Sequence, residues 1–175
     1  MLLCALGLAG CGDIDRSGSS ATSGSETSAK ASESAVIASV GDGDSVRTIS
    51  GKKVRLLQID APELHGDCFG KAALSALRHL TPKGTRVTLV RDPDLDQTDR
   101  YGRLLRYVMV NGTNVNVALV RGGNASPYFF RNEKGRYADE LLAAVKKARA
   151  EKLGYWRACP NAKLNTGLGS VTGPG

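Results

Sequence analysis

From residue 36 onward, apolar and polar positions alternate in short runs divided by turn-forming residues. Val36-Ile37-Ala38-Ser39-Val40 predicts a strand, Asp42-Gly43 a turn, and Ser45 to Ile49 a second strand. Gly51-Lys52 turns the chain into a third run, Val54 to Ile59, so the first part of the domain is expected to be a three-stranded meander. The period then changes. Residues 71–80 place Ala73, Leu77 and Leu80 on one helical face and stop before Thr81-Pro82-Lys83-Gly84. A fourth strand is expected over residues 86–90. A polar loop over residues 92–100 leads into a fifth strand at 104–110, closed by Asn111-Gly112. Val115 to Val120 predicts a short helix ended by Gly122-Gly123. The clearest helix spans residues 136–152, with Tyr137, Leu141, Val145 and Ala148 on one stripe.

Three strands, a helix, two strands and then helices predict an α+β fold. The expected form is a five-stranded OB-type Greek-key β-barrel with about three helices packed against it. Periodicity alone leaves other α+β arrangements open. Barrels of this type commonly bind oligonucleotides on one face.

The two ends of the chain read differently from this middle. Residues 12–34 are dominated by Ser, Gly, Ala and Thr and lack large apolar side chains, which predicts a disordered tether. Residues 161–175 predict a flexible tail on the same grounds, so the domain is expected over residues 35–160. Residues 1–11 form an apolar run too short to span a bilayer. Its end, Leu8-Ala9-Gly10-Cys11, resembles the lipobox of bacterial lipoproteins. That resemblance implies acylation of Cys11 and export, with a lipid anchor holding the protein on the outer side of the cytoplasmic membrane. The alternatives are a cleaved signal peptide giving a secreted protein, or a start upstream of Met1, since no Lys or Arg precedes Cys11.

Charge adds a partner class. The chain is net +7, yet residues 1–33 are net −2, with Arg16 and Lys30 against Asp13, Asp15, Glu26 and Glu33, so the remainder carries +9. A small basic domain suits a polyanion, although solubility alone also explains such a balance. Of the four cysteines, only Cys68 and Cys159 lie in the expected domain, where they form one bridge or stay as two thiols. Neither belongs to a C-x-x-C pair, which argues against a zinc or redox centre. With His65 and His79 as the only histidines, a His-based metal site is poorly supported too.

Chemistry concentrates in three separated segments: Asp42-Gly43-Asp44, Arg55 to Glu63, and Asp99-Arg100-Tyr101-Gly102-Arg103. Carboxylates at strand ends can converge, so Asp44 and Asp60 are candidate oxygen ligands for Ca²⁺ or Mg²⁺. Pro62 stiffens the chain and holds Glu63 near. Planar guanidinium groups neutralise phosphoryl oxygens well, which makes Arg55 and Arg103 candidates for a phosphate clamp. Taken singly, each carboxylate reads as turn chemistry and each arginine as surface charge. One conflict stands out: Arg55 and Asp60 are five residues apart and would face opposite sides of a regular strand. A bend between them is required.

These segments, with Val115-Asn116, Leu119-Val120-Arg121 and Leu153-Gly154-Tyr155-Trp156, resemble the staphylococcal nuclease (thermonuclease) family over about residues 36–156. The resemblance implies Ca²⁺ held by Asp44, Asp60 and the backbone carbonyl of Ala61, with Asp42 supporting the site from behind. It implies that Glu63 orients or deprotonates the attacking water and that Arg55 and Arg103 clamp the scissile phosphate. Tyr101 would contact a terminal phosphate and Tyr128 would stack beside a base. Ser45, where many relatives have threonine, would keep a hydroxyl at the substrate side. Phe130 falls where a second tyrosine is common, and the segment 124–130 is one residue shorter than in better-known members. The last helix would be pinned to the first by a Cys68–Cys159 bridge. The implied activity is a monomeric, Ca²⁺-dependent nuclease that cleaves DNA and RNA with little sequence specificity and leaves 3′-phosphates. The competing expectations are a non-catalytic nucleic-acid-binding OB module and a surface module binding an anionic polymer.

Overall fold

β1 (Ser32–Val40) serves two neighbours: its first half pairs antiparallel with β5 (Arg86–Val90) and its second half with β2 (Ser45–Thr48). The switch falls at a register irregularity between Ile37 and Ser39, which bends the strand and lets the sheet curl. The structure is a computed structural model describing residues 31–174. Segment 1–11, Cys11 and most of the expected tether lie outside those residues. The first strand starts at Ser32, inside the span expected to be tether. Its outer residues gain order through the backbone ladder to β5, which composition does not report.

β2 pairs with β3 (Lys53–Leu56), and β3 pairs in parallel with β6 (Leu104–Val110), which in turn pairs with β5. The ring β1-β2-β3-β6-β5 is therefore closed. This is the five-stranded OB-type barrel, with no free edge among its own strands. The Asn111-Gly112 turn, both residues at positive φ, returns β6 into the two-residue β7 (Thr113–Asn114). Inward residues Ile37, Val54, Leu56, Val87, Leu89 and Val108 are fully or almost fully buried.

Helix α1 (Gly70–Leu80) offers Ala73, Leu74 and Leu77 to the core, and α2 (Val115–Arg121) offers Val115, Leu119 and Val120. The Asn114 side chain caps α2 by accepting the N–H groups of Asn116 and Val117. Helix α3 (Ala138–Ala150) packs on α2 through Leu141, Ala144, Val145 and Ala148, and a single turn, α4 (Tyr155–Ala158), follows. No helix among the described residues is long and apolar enough to cross a membrane.

Two departures from the sequence pattern shape the site. The expected third strand, 54–59, is broken: β3 ends at Leu56, Gln58 sits at φ 59°, and β4 (Ile59–Asp60) pairs instead with β8 (Ser126–Pro127). Nonlocal partners hold this break. Leu57 donates to the Arg106 carbonyl at 2.9 Å, and its own carbonyl accepts from Asn116 Nδ2 at 2.8 Å. Gln58 is buried, donating to the Glu133 carbonyl and accepting from Tyr107 Oη and the Gly135 amide.

The second departure is the C-terminal segment, where a hairpin stands in place of a flexible tail. β9 (Lys163–Asn165) and β10 (Gly169–Val171) are antiparallel, with Asn165 Oδ1 accepting the amides of Gly167 and Leu168 in the turn. Backbone bonds dock it on the barrel: Phe129 donates to the Thr166 carbonyl at 2.7 Å, and Cys68 to the Gly173 carbonyl at 2.9 Å. Cys68 and Cys159 form a disulfide, which fixes the point from which this hairpin departs. Its order comes from backbone bonds, that tether and the packing of Leu164 on the core, and a composition with so few large apolar residues gives little sign of it.

Candidate active site

The break at Leu57-Gln58 resolves the facing conflict between Arg55 and Asp60. The chain reverses its facing there, and Arg55 Nη2 reaches Asp60 Oδ1 at 2.7 Å and Asp44 Oδ2 at 2.9 Å. Arg55 Nη1 donates to the carbonyls of Ile59 (2.7 Å) and Leu56 (3.0 Å), so the guanidinium itself staples the bend.

Asp44 is delivered by the turn before β2. Gly43 is required there, since a Cβ would come within 2.6 Å of Ala61 Cβ and 2.9 Å of Ala73 Cβ. Asp42 lies behind: its Oδ1 accepts the Asp44 amide at 3.2 Å and the Ser45 hydroxyl. Ser45, expected on the substrate side, donates its hydroxyl to Asp42 and is not among the residues lining the cleft described below. Asp44 Oδ2 also accepts the Ala61 amide at 2.9 Å. Burial pushes the Asp44 pKa up to about 7 despite the opposing Arg55 charge, and the carboxylates of Asp42 and Asp60 add to the rise.

Asp60 has its second oxygen occupied from an unexpected side. Oδ2 accepts both the amide and the hydroxyl of Ser170, each at 2.9 Å. Gly169, at φ +86°, allows this approach, because a Cβ there would stand 2.5 Å from Asp60 Oδ2. Glu63 follows buried Ala61 and Pro62 and is exposed. Its amide donates to Asp67 Oδ2 at 2.9 Å, and no described residue hydrogen-bonds its carboxylate.

Arg103 immediately precedes β6 and is held by Asp99: Nε donates to Oδ2 at 2.6 Å, while Oδ1 accepts the amides of Arg103 and Tyr101 at 2.9 Å. Tyr101 is 65% exposed, its ring flanked by the guanidinium groups of Arg100 (4.8 Å) and Arg103 (5.5 Å). A cleft of about 530 Å³ brings Arg55, Arg103, Tyr101, Tyr128 and Phe130 together. Asp44, Asp60 and Glu63 are not among the residues lining it. Arg55, which lines the cleft, is ion-paired to both Asp44 and Asp60.

Sequence reasoning passed over Ser170, Asp99, Asn116 and Gln58 as working residues. Gln58, Asp99 and Asn116 stand inside the motifs named above. Gly167 and Gly169 between Asn165 and Ser170 were the available turn signal for the hairpin.

Fold and site together define an OB-type barrel with two guanidinium groups lining one cleft and two carboxylates paired on Arg55. The chain belongs to the staphylococcal nuclease homologue family, whose family model matches residues 53–158. Among curated proteins it is similar to Protein ParB of Escherichia coli, 39% identical over 66% of this chain and 67% of that protein. It is also similar to Endonuclease YncB of Bacillus subtilis (strain 168), 33% identical over 66% of this chain and 57% of the relative. The SPbeta prophage-derived endonuclease YokF of the same organism is 33% identical over 66% of this chain and 41% of the relative. The matched region thus spans between two fifths and two thirds of these relatives' lengths.

Proposed function

We propose that this protein is a nuclease that hydrolyses phosphodiester bonds of DNA and RNA with little sequence specificity, uses Ca²⁺ and leaves 3′-phosphate products. The carrying observation is the convergence of Asp44 Oδ2 and Asp60 Oδ1 on a single positive atom, Arg55 Nη2, at 2.9 and 2.7 Å, beside a cleft holding Arg103 and Tyr101. Family membership and relatives named endonucleases support the same reading.

The donor set fits a hard cation. Two carboxylate oxygens already meet at one point of positive charge, and no third His, Cys, Asp or Glu side chain among the described residues makes a cluster of three with them. Asp44, Asp60 and the Ala61 carbonyl would hold Ca²⁺, with water completing the shell. When bound, the ion supplies neutralisation of charge on the phosphate oxygens.

The chain's own groups do the rest. Arg55 and Arg103 donate to the non-bridging oxygens, whose charge grows as water adds to phosphorus. Arg55 must then share its Nη2 between Asp60 and substrate, while Arg103 keeps its Nε on Asp99 and presents its other nitrogens. Glu63 accepts the proton from the attacking water at its carboxylate. The phosphorus–O5′ bond breaks, the 5′ oxygen takes a proton from solvent, Glu63 returns its proton to solvent, and the phosphate stays on the 3′ oxygen. Tyr101 and Tyr128 flank the cleft as contacts for a neighbouring phosphate and a base. The protein acts as a monomer and is exported, tethered through Cys11 to the outer side of the cytoplasmic membrane or else secreted.

The decisive experiment incubates purified protein with single-stranded DNA or RNA in Ca²⁺, Mg²⁺ or chelator, beside Glu63→Gln. Cleavage should require Ca²⁺ and fall by several powers of ten in the variant, about the share of a general base plus its positioning. Equal cleavage by Glu63→Gln, or binding without any cleavage by the parent, would overturn the proposal.

A further inference from the structure

Beside the cleft lies a larger open trough of about 770 Å³, which shares Tyr101 with it and is otherwise built from different residues. Among the described residues its charged lining is Lys52, Lys53, Arg106 and Arg91, the last also bonded through Nε to Gln97, with the Glu33 carboxylate paired to Lys52 at 2.6 Å. Arg106 is the informative member. It is 8% exposed, forms no ion pair with a described residue, and has a buried Nε without a hydrogen-bond partner. Only Nη1 is engaged, donating to the Leu105 carbonyl at 2.7 Å and to the carbonyl and side chain of Gln97 at 3.0 and 3.4 Å. A guanidinium largely withdrawn from water and in direct contact with no carboxylate of the described residues is costly, and its free energy improves when an anion arrives. Burial and then the neighbouring Arg91 charge push its pKa below the usual arginine range, with the Glu33 carboxylate opposing them only in part.

We infer that this trough is a second, non-catalytic binding site for the sugar–phosphate backbone, holding the stretch of a nucleic-acid strand that continues past Tyr101 from the cleft. The inference rests on the cleft being the phosphodiester site, since Tyr101 joins the two. Its ligand is a row of phosphates: Lys53 is exposed at the start of β3, and Arg106 lies one register step beyond Arg55's neighbour Leu105 on β6. A strand anchored here does not end at Tyr101. Cleavage inside a chain is then favoured over trimming from an end, and substrates long enough to reach the trough bind better than short ones.

The test measures binding of labelled oligothymidylates of roughly four and roughly sixteen nucleotides in chelator, across salt concentrations. Lys53→Glu and Arg106→Gln are compared with the parent, and cleavage of both lengths is followed in Ca²⁺. Lys53→Glu, at an exposed position, keeps the test valid if Arg106→Gln fails to fold. The long strand should bind about tenfold more weakly, with a salt slope shallower by roughly 0.7 for each phosphate that the variant no longer neutralises. Binding and cleavage of the short one should stay at the parental level. Unchanged long-strand affinity in Lys53→Glu, or equal losses for both lengths, overturns the trough while leaving the cleft reading intact. Absence of cleavage in the parent overturns the cleft reading, and the length-dependent loss of binding still decides the trough.

Discussion

Ser170 grips Asp60 from the C-terminal hairpin: its amide and its hydroxyl each donate to Asp60 Oδ2 at 2.9 Å, while Arg55 holds Oδ1 at 2.7 Å. A carboxylate fixed on both oxygens has little rotational freedom, so Oδ1 stays aimed at the point where Asp44 Oδ2 also converges. Removing Ser170's hydroxyl leaves one of its two bonds, whereas ending the chain after Pro160 removes both. Calcium affinity, measured calorimetrically, should fall about tenfold in Ser170→Ala and further in the truncated protein, within the range expected for residues that orient ion ligands. Ser170→Thr should recover most of the loss. Parental affinity in the truncated protein would show that the hairpin only decorates the barrel.

Asp44 makes the metal-free protein sensitive to pH in an unusual direction. Its folded-state pKa of about 7 lies above the ordinary value of 3.8, so between these limits the folded state retains a proton that the unfolded chain has released. Stability therefore declines as pH rises through that window and levels off above about 7. Urea midpoints in chelator should show this decline, on the order of a few kcal/mol at most, and Asp44→Asn should flatten it. An upward slope in the parent over the same range would contradict the burial-driven shift.

The Cys68–Cys159 bridge closes a loop with a sequence separation of 91 residues. In the chain-entropy account such a closure stabilises by about 4 to 5 kcal/mol. It also sets where the hairpin leaves α4 to return to Asp60. Cys68→Ser with Cys159→Ser should lower the denaturation free energy by about that amount. Calcium affinity should drop with it, because the segment carrying Ser170 is no longer tethered near β4. A loss of stability with unchanged calcium affinity would separate the two roles.

The barrel was legible because its strands alternate and its turns carry Asp-Gly, Gly-Lys and Asn-Gly pairs, all local signals. The candidate ligands Asp44 and Asp60 and the arginines beside them were legible only as motifs, since the meeting of Arg55 with both carboxylates depends on a bend that the run Val54 to Ile59 conceals. Gln58 adopts positive φ without being glycine or asparagine, and what holds it there comes from far along the chain: Tyr107, Glu133, Gly135 and, next door, Asn116 on Leu57. No window of local sequence reports such partners. Ser170 was hidden for a related reason. Its hairpin is ordered mainly by backbone hydrogen bonds and a covalent tether, with Leu164 alone packing on the core, too few apolar positions for hydrophobic patterning to detect.

Asp99 organises the other half of the clamp, and its effect should separate from simple binding. Its carboxylate accepts Arg103 Nε at 2.6 Å and the amides of Arg103 and Tyr101 at 2.9 Å, which fixes both the cation and the aromatic ring. Burial works to raise its pKa, but the bonds from Arg103 and Tyr101 outweigh it and the net shift is downward. Because the folded-state pKa is depressed, the stabilisation is present above the ordinary aspartate range and is lost as pH falls through the lowered value. Asp99→Asn keeps the shape and the acceptor oxygen yet removes the charge that holds Arg103 Nε. If Arg103 acts on charge that develops only as the bond breaks, kcat should fall by roughly ten- to a hundredfold with KM little changed. The loss should be smaller than for Arg103→Ala, which deletes the guanidinium itself. A rise in KM at constant kcat would instead assign Arg103 to holding the substrate before the reaction begins.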